Sequence, residues 1–119
     1  MLIIRKKIGA ARTSAKTRFR EYSFRRALRE VASLPWGKLP TRRLMQRLWS
    51  GWGKQSYSGH PEYLDEVVKR AVTISGPVLE CGSGLSTLLL GLFAARRGVQ
   101  VWTLEHDREW YEHTAAALR

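Results

Sequence analysis

The sequence predicts an α/β fold built on a parallel β–α–β unit. A short apolar strand over Val78–Glu80 runs into a turn that contains Gly82 and Gly84. A helix is predicted over Leu88–Arg97, and a second apolar strand follows over Val99–Leu104. Two short strands joined by a helix of this length are typical of parallel pairing with a helical crossover.

Helices are also predicted on either side of this unit. Pro61 is suited to the first position of a helix that precedes the first strand and carries an apolar face with Tyr63, Leu64 and Val68. Ser86 or Thr87 is expected to cap the crossover helix, and Gly98 to end it. Asp107 is expected to cap a last helix after the second strand.

The first half of the chain is predicted to be mainly helical and strongly basic. Residues 1–17 show no periodicity and are interpreted as a mobile basic arm. A helix is expected over residues 18–34. Its apolar side is formed by Phe19, Tyr22, Leu28 and Val31, with Phe24 and Ala27 at the edge of that side. Pro35 ends it, and Thr41 is expected to cap a second short helix.

Charge divides the chain into two unlike parts. The 119 residues carry a net charge of +11, but residues 1–50 alone hold fourteen Lys and Arg against two acids. Residues 51–119 hold seven Lys and Arg against eight acids. We therefore predict a basic extension over 1–50, a loop rich in Gly, Ser and aromatic residues over 51–60, and a folded domain over 61–119.

Several classes of protein are disfavoured by composition. No apolar run approaches the length of a membrane span, and the N-terminus turns basic too soon for a secretory signal. A single cysteine, Cys81, excludes an internal disulfide, which fits a cytoplasmic location. The three histidines lack metal-ligand spacing, so no metal is predicted. An organellar transit peptide over residues 1–20 is a disfavoured alternative.

The turn after the first strand carries the predicted chemistry. Gly82 and Gly84 can adopt positive φ and let a ligand approach the backbone. Glu80, at the strand end, can accept hydrogen bonds from the loop or contact an amino-bearing ligand. Glu105 follows the second strand, where a carboxylate can bind ribose hydroxyls. These features predict a nucleoside site at the carboxyl ends of both strands.

Thr87 favours a nucleoside without a pyrophosphate. A dinucleotide fingerprint requires Gly or Ala at that position, and a pyrophosphate requires a free helix N-terminus. Ser86 and Thr87 can occupy that terminus with their own hydroxyl groups. A dehydrogenase fragment is therefore disfavoured.

The remaining candidates have structural alternatives. Cys81 is expected to be a small buried packing residue, because no cation adjoins it to stabilise a thiolate. Trp49, Trp52, Lys54 and Tyr57 either cover a ligand or form a hydrophobic plug between the two halves, and the plug is favoured. The basic residues within 5–43 are candidates for nucleic-acid phosphates. They lack interleaved aromatic residues for stacking, so a solubilising arm is an equal alternative.

Residues 78–87 and 101–110 resemble class I S-adenosylmethionine-dependent methyltransferases. Val-Leu-Glu-Cys-Gly-Ser-Gly-Leu-Ser-Thr is similar to the first motif of that family, with Ser86 in place of its third glycine. Trp-Thr-Leu-Glu-His-Asp is similar to the second. The resemblance implies a Rossmann-like parallel sheet, S-adenosylmethionine as cofactor and a methyltransferase activity. It implies that Glu80, Gly82 and Gly84 surround the methionine portion of the cofactor and that Glu105 holds the ribose. Ser83, Ser86 and His106 are further candidate cofactor-binding residues.

The resemblance covers only about residues 60–119 and two of the seven strands of that family. We therefore expect an N-terminal cofactor-binding part of an enzyme, either a truncated product, a partial gene model or a split subunit whose partner chain completes the sheet. Alone it is expected to bind cofactor poorly and to be inactive. The methyl acceptor and the catalytic residues stay unassigned. The alternative is a non-catalytic module in which the basic part binds RNA and the β–α–β unit is only a scaffold.

Overall fold

The computed structural model describes residues 14–53 and 59–119. Within these residues the chain forms five helices and two strands. Their bounds, in chain order, are α1 Ala15–Ala32, α2 Arg42–Trp52, α3 Pro61–Ala71, β1 Val78–Cys81, α4 Leu85–Arg97, β2 Val101–Leu104 and α5 Arg108–Ala117. None of these helices is both long enough and apolar enough to cross a bilayer.

The two strands form a parallel sheet joined by the α4 crossover, which confirms the predicted α/β class. Val78 pairs with Val101 and Cys81 with Leu104. The N–H of Gly82 continues the ladder by donating to the carbonyl of Leu104, at 2.8 Å. The carboxyl ends of both strands therefore lie side by side, with the glycine turn directly above them.

The sheet is covered on one face only. Val78, Glu80, Val101 and Thr103 are half-buried on the helix side, whereas Leu79, Cys81, Trp102 and Leu104 are exposed on the other. Leu79 is 64 % exposed, and Trp102 and Leu104 are both 61 % exposed. The sheet therefore has one face packed against α4 and one apolar face without cover in the described part of the chain.

Helix α1 begins earlier than predicted and buries a different face. Ser14 caps it by accepting the N–H of Thr17, so residues 15–17 are helical and not part of an irregular arm. Residues 1–13 lie outside the described part of the chain. Phe24, Ala27 and Val31 are buried, while Phe19 and Tyr22 are exposed. The buried face of α1 is therefore rotated by part of a helical turn from the predicted apolar face.

Helix α2 runs antiparallel to α1 and extends further than predicted. Thr41 caps its start by accepting the N–H of Leu44, as expected. Gly53 ends it with φ of 75°, so the loop predicted over 51–60 begins only after Trp52. Residues 54–58 of that loop lie outside the described residues.

The caps of the last three helices follow the sequence signals except at the start of α4. Pro61 starts α3, and Gly98 ends α4 in the left-handed conformation. Asp107 caps α5 by accepting the N–H of Trp110 at 2.7 Å. The start of α4 was predicted three residues too late, because Gly84 and not Ser86 or Thr87 occupies the cap position.

One hydrophobic core joins the basic first half to the second half. Each of the first four helices contributes buried side chains to it, among them Val31, Met45, Leu48, Leu64, Val68, Leu85 and Leu89. Trp52 adds a further link, since its ring packs against Phe24 of α1 and against Trp110 and His113 of α5. Helices α1 and α2 therefore pack on the second half and share its core.

Candidate functional site

The turn between β1 and α4 has the geometry of a tight loop built around one required glycine. Gly82 has φ of +86°, a conformation that L side chains rarely adopt. Gly84 does not share this requirement: its φ of 168° is extended backbone. The prediction of positive φ is thus confirmed at Gly82 and wrong at Gly84.

Glu105 lies at this turn and closes it from the β2 side. Its Oε2 atom accepts the backbone N–H and the hydroxyl of Ser83, both at 2.8 Å. Its Oε1 atom accepts the N–H of Asp107 at 2.9 Å. The carboxylate therefore joins the end of β2 to the glycine turn, and the predicted proximity of Glu105 to Gly82 and Gly84 is confirmed.

These hydrogen bonds make Glu105 an unusually strong acid. The N–H of Asp107, and then the N–H and hydroxyl of Ser83, lower the pKa of Glu105 to about 2. Its side chain is only 6 % exposed. A carboxylate has about four acceptor positions, and three of them are already occupied. The N–H of His106 lowers the pKa as well, so Glu105 is ionised at neutral pH and its oxygens are already engaged by neighbouring donors.

Glu80 is satisfied by hydroxyl groups, not by the backbone N–H groups of the loop. Its two oxygens accept the hydroxyls of Ser86, Thr87 and Thr103. The Thr87 hydroxyl in turn accepts the N–H of Gly84 at 2.9 Å, which occupies one donor at the start of α4. This contact bears out the expectation that Thr87 uses part of the helix N-terminus itself.

A cleft of about 530 Å³ lies between this turn and α3. Five of the predicted site residues line it, namely Glu80, Gly82, Ser83, Gly84 and Ser86. The opposite wall includes Tyr63 and Arg70 of α3. A volume of this size is typical of small-molecule sites, and it lies where ligands bind open α/β sheets. The name loop cleft is used for it below.

Tyr63 and Arg70 were not predicted as site residues. The sequence pattern placed Tyr63 on the apolar face of α3, but it is exposed and faces the loop cleft. Arg70 lies in the last turn of α3, where its charge also suits the helix dipole. Both stand on the helix that leads directly into β1, and that position is the one signal that could have assigned them to the site.

Glu105 and His106 do not line the loop cleft. Glu105 lines a separate cavity of about 270 Å³ between β2, α4 and α5, together with Ser83, Tyr111 and Thr114. The side chain of His106 is fully exposed and lies near Glu105, with 3.5 Å between its Nδ1 and Oε1. Ser83 is the residue that connects the two cavities, because it lines both.

Helix α5 holds the turn through two contacts that the sequence did not predict. The indole N–H of Trp110 donates to the carbonyl of Ser83. The hydroxyl of buried Thr114 lies 3.2 Å from that of Ser83. Helix α5, which follows β2, therefore holds Ser83 of the glycine turn in place.

Other candidates take structural positions or lie apart from the site. Cys81 is exposed on the uncovered sheet face, so the expectation that it would be buried is wrong. Trp52 packs as the predicted plug between the halves. Trp49 contacts the ring of His60, at a centroid distance of 5.8 Å. Lys54 and Tyr57 lie outside the described residues.

Within residues 14–53 and 59–119, no three His, Cys, Asp or Glu side chains cluster in a way that could hold a metal ion. Comparison with known proteins adds no family: no family model, no curated protein and no solved structure matches the chain significantly.

Proposed function

We propose that the loop cleft binds S-adenosylmethionine and that the chain is the cofactor-binding part of a methyltransferase. The observation that carries this proposal is the 530 Å³ cleft wrapped by residues 80–86 at the carboxyl end of β1. The sequence resemblance of that segment supplies the cofactor's identity. Neither a catalytic base nor a methyl acceptor is proposed.

The charges at the cleft suit the amino-acid end of that cofactor. Glu80 and Arg70 both line the cleft and have opposite charges. In S-adenosylmethionine an ammonium and a carboxylate stand on one carbon atom, so a cleft with one acid and one cation provides a partner for each. Thr87 disfavours a pyrophosphate because its hydroxyl already accepts the N–H of Gly84 at the start of α4.

Under this proposal the ribose extends past Ser83, which lines both cavities, and reaches Glu105 in the neighbouring cavity. The Glu105 oxygens are already engaged by neighbouring donors, so a ribose hydroxyl must replace Ser83 as the donor to Oε2. Ser83 then has to find another partner, and Thr114 is already close enough to serve as one. Ligand binding is therefore expected to change the environment of Ser83 and Thr114 as well as that of Glu105.

The proposal includes a further polypeptide segment that completes the sheet. Leu79, Trp102 and Leu104 form an exposed apolar surface on the face opposite α4. Parallel sheets are normally covered on both faces, and their edges are normally paired or protected. Covering this surface would make the cofactor site complete, which agrees with the expectation of weak binding by the chain alone.

Chemical-shift mapping tests the cofactor proposal at the weak affinity expected. S-adenosylhomocysteine, the demethylated product, is added at millimolar concentration to the isotope-labelled chain. The amides of residues 80–86 are expected to shift, together with those of Glu105 and Thr114. Gly82→Val is expected to abolish the shifts, because φ of +86° excludes a branched side chain.

Two results would contradict this proposal. One is an unchanged spectrum with S-adenosylhomocysteine. The other is the same set of shifts with NAD as the titrant, because that would remove the preference for a nucleoside without a pyrophosphate. Micromolar binding of S-adenosylmethionine by the isolated chain, measured by calorimetry, would instead refute only the expectation that a further segment is needed.

A further inference from the structure

A second groove, which shares no lining residue with the loop cleft, lies between α1 and α2. It has a volume of about 480 Å³, and we call it the basic groove. Each helix lines it with residues at the same i, i+3, i+4 spacing, which places them on one helical face. These residues are Lys16, Phe19 and Arg20 of α1 and Arg43, Gln46 and Arg47 of α2.

The cations of the basic groove are largely uncompensated. Arg47 forms a bidentate pair with Glu30, with hydrogen bonds of 2.7 and 3.0 Å. Lys16, Arg20 and Arg43 have no carboxylate within ion-pair distance in the part of the chain that the structure describes. Three cations on two facing walls therefore create a positive potential that favours an anionic ligand.

The positions of these cations are unfavourable for the helices themselves. Lys16 lies in the first turn of α1 and Arg43 in the first turn of α2, and neither turn contains an acid. The positive end of a helix dipole repels cations placed there. Helices α3 and α5 follow the favourable rule, with Glu62 and Glu109 in their first turns. Helix stability therefore does not account for Lys16 and Arg43, whereas a ligand in the groove would.

An exposed aromatic ring stands between the cations. Phe19 is 73 % exposed and lies on the same face of α1 as Lys16 and Arg20. The sequence had suggested that the basic region lacked interleaved aromatic residues, and the structure corrects this. Aromatic rings beside cations are the arrangement that binds single-stranded nucleic acids, because bases stack on the rings while phosphates contact the charges.

We propose that the basic groove binds a single-stranded nucleic acid, with phosphates on Lys16, Arg20 and Arg43 and a base stacked on Phe19. A groove with cations on both walls suits a chain of phosphates that lies between them. A flat bilayer surface would contact only the rims. This inference does not rest on the cofactor proposal, since it involves none of the residues of the loop cleft.

Fluorescence anisotropy of the full chain with labelled oligouridylate tests the inference. An oligonucleotide of about 16 nucleotides covers the upper site size of single-strand binders, and oligothymidylate of equal length distinguishes RNA from DNA. The test variant is Lys16→Gln/Arg20→Gln/Arg43→Gln. The control is Lys38→Gln/Arg108→Gln/Arg119→Gln, which removes the same charge elsewhere and leaves the groove and residues 1–13 unchanged.

The groove variant is expected to bind at least about tenfold more weakly than the control at moderate salt. A salt series is expected to show a slope smaller by about 2, since each single-strand phosphate contact contributes about 0.7. Phe19→Ala is expected to weaken binding at least about fivefold with an unchanged salt slope, and Phe19→Trp to retain it. Lys16→Arg/Arg20→Lys/Arg43→Lys keeps the charges and is expected to bind, which guards against a folding defect.

Three results would overturn the inference. The groove and control variants could lose affinity equally, which would indicate attraction by net charge alone. Phe19→Ala could leave the affinity unchanged, which would remove the stacking role. The chain could bind phosphatidylserine vesicles through the same three cations without binding either oligonucleotide, which would assign the groove to a membrane surface.

Discussion

Glu105 owes its low pKa and its structural role to hydrogen bonds from Ser83 and Asp107. Its folded pKa of about 2 lies below the ordinary value of 4.5. The ionised Glu105 carboxylate is therefore more stable in the folded chain than in the unfolded chain, and its ionisation favours folding. The resulting stabilisation is complete above about pH 4.5 and is lost as the pH falls from there toward about 2.

We expect Glu105→Gln to be less stable than the parent chain at neutral pH and to lose less stability on acidification. The amide keeps one acceptor oxygen but cannot titrate, so the gap between the two proteins narrows below about pH 4.5. Urea denaturation across this range measures the effect. Glu112→Gln, at an exposed residue paired with Arg108, is the control and should follow the parent. An equal loss of stability in Glu105→Gln and the parent would contradict the assigned role.

The two glycines of the turn are expected to differ on substitution. Gly82→Ala places a side chain at φ of +86° and should lower the free energy of unfolding by about 1–2 kcal/mol. Gly84→Ala should cost less than about 1 kcal/mol, because a Cβ there would lie 3.8 Å from the Trp110 ring, an ordinary contact. Chemical denaturation of both variants measures the difference. Equal costs would show that the turn does not depend on the conformation of Gly82.

Among the helices, the crossing of α1 and α2 depends on close approach at Gly51. A Cβ atom added at Gly51 would lie 2.8 Å from the Cβ of Phe24, which is too short for any real contact. Gly91 of α4 is helical as well, but a Cβ added there would meet only Leu118, at 3.8 Å. The two glycines therefore differ in surroundings while sharing the same helical conformation.

Substitution by alanine is expected to have opposite signs at these glycines. Alanine in a helix is favoured over glycine by about 1 kcal/mol. At Gly91 this gain is unopposed, so Gly91→Ala should stabilise the chain by up to about 1 kcal/mol. At Gly51, overpacking costs of about 1–3 kcal/mol exceed the gain, so Gly51→Ala should destabilise it. Thermal and urea denaturation of the pair test this, and stabilisation by both would disprove the tight crossing.

One hydrophobic core contains residues from both the basic half and the second half of the chain. Val31 and Leu48 of the basic half pack in the same cluster as Leu64 and Leu89 of the second half. A domain with one continuous core is expected to unfold in a single cooperative transition. The tryptophans are suited to report on this, because Trp49 lies in the basic half and Trp102 in the second half.

We therefore expect tryptophan fluorescence and far-ultraviolet circular dichroism to report the same urea midpoint. Leu48→Ala removes a fully buried side chain and should lower the stability by about 2–5 kcal/mol, shifting both signals together. Leu39→Ala, at an exposed position before α2, is the control and should shift neither. Two separate transitions would indicate that residues 1–50 and 61–119 fold independently after all.

Local chemistry along the chain was enough to predict the order of helices and strands, the parallel pairing and several caps. Thr41, Gly98 and Asp107 end or begin helices through hydrogen bonds to their immediate neighbours or through their own backbone preference, so sequence carries this information directly. The meeting of Glu105 with the glycine turn was also predictable, because parallel strands bring their carboxyl ends to one edge.

Tertiary packing decided the rest. Which side of α1 is buried depends on where α2 crosses it, and the close approach at that crossing requires Gly51, nineteen residues after the end of α1. Tyr63 and Arg70 line the loop cleft opposite the turn, and Thr114 contacts Ser83, although nothing in the sequence pattern of their helices predicts these positions. The basic groove requires two helices to place equivalent faces opposite each other. Such contacts join residues far apart in sequence, and no local preference for helix or strand encodes the distance between them.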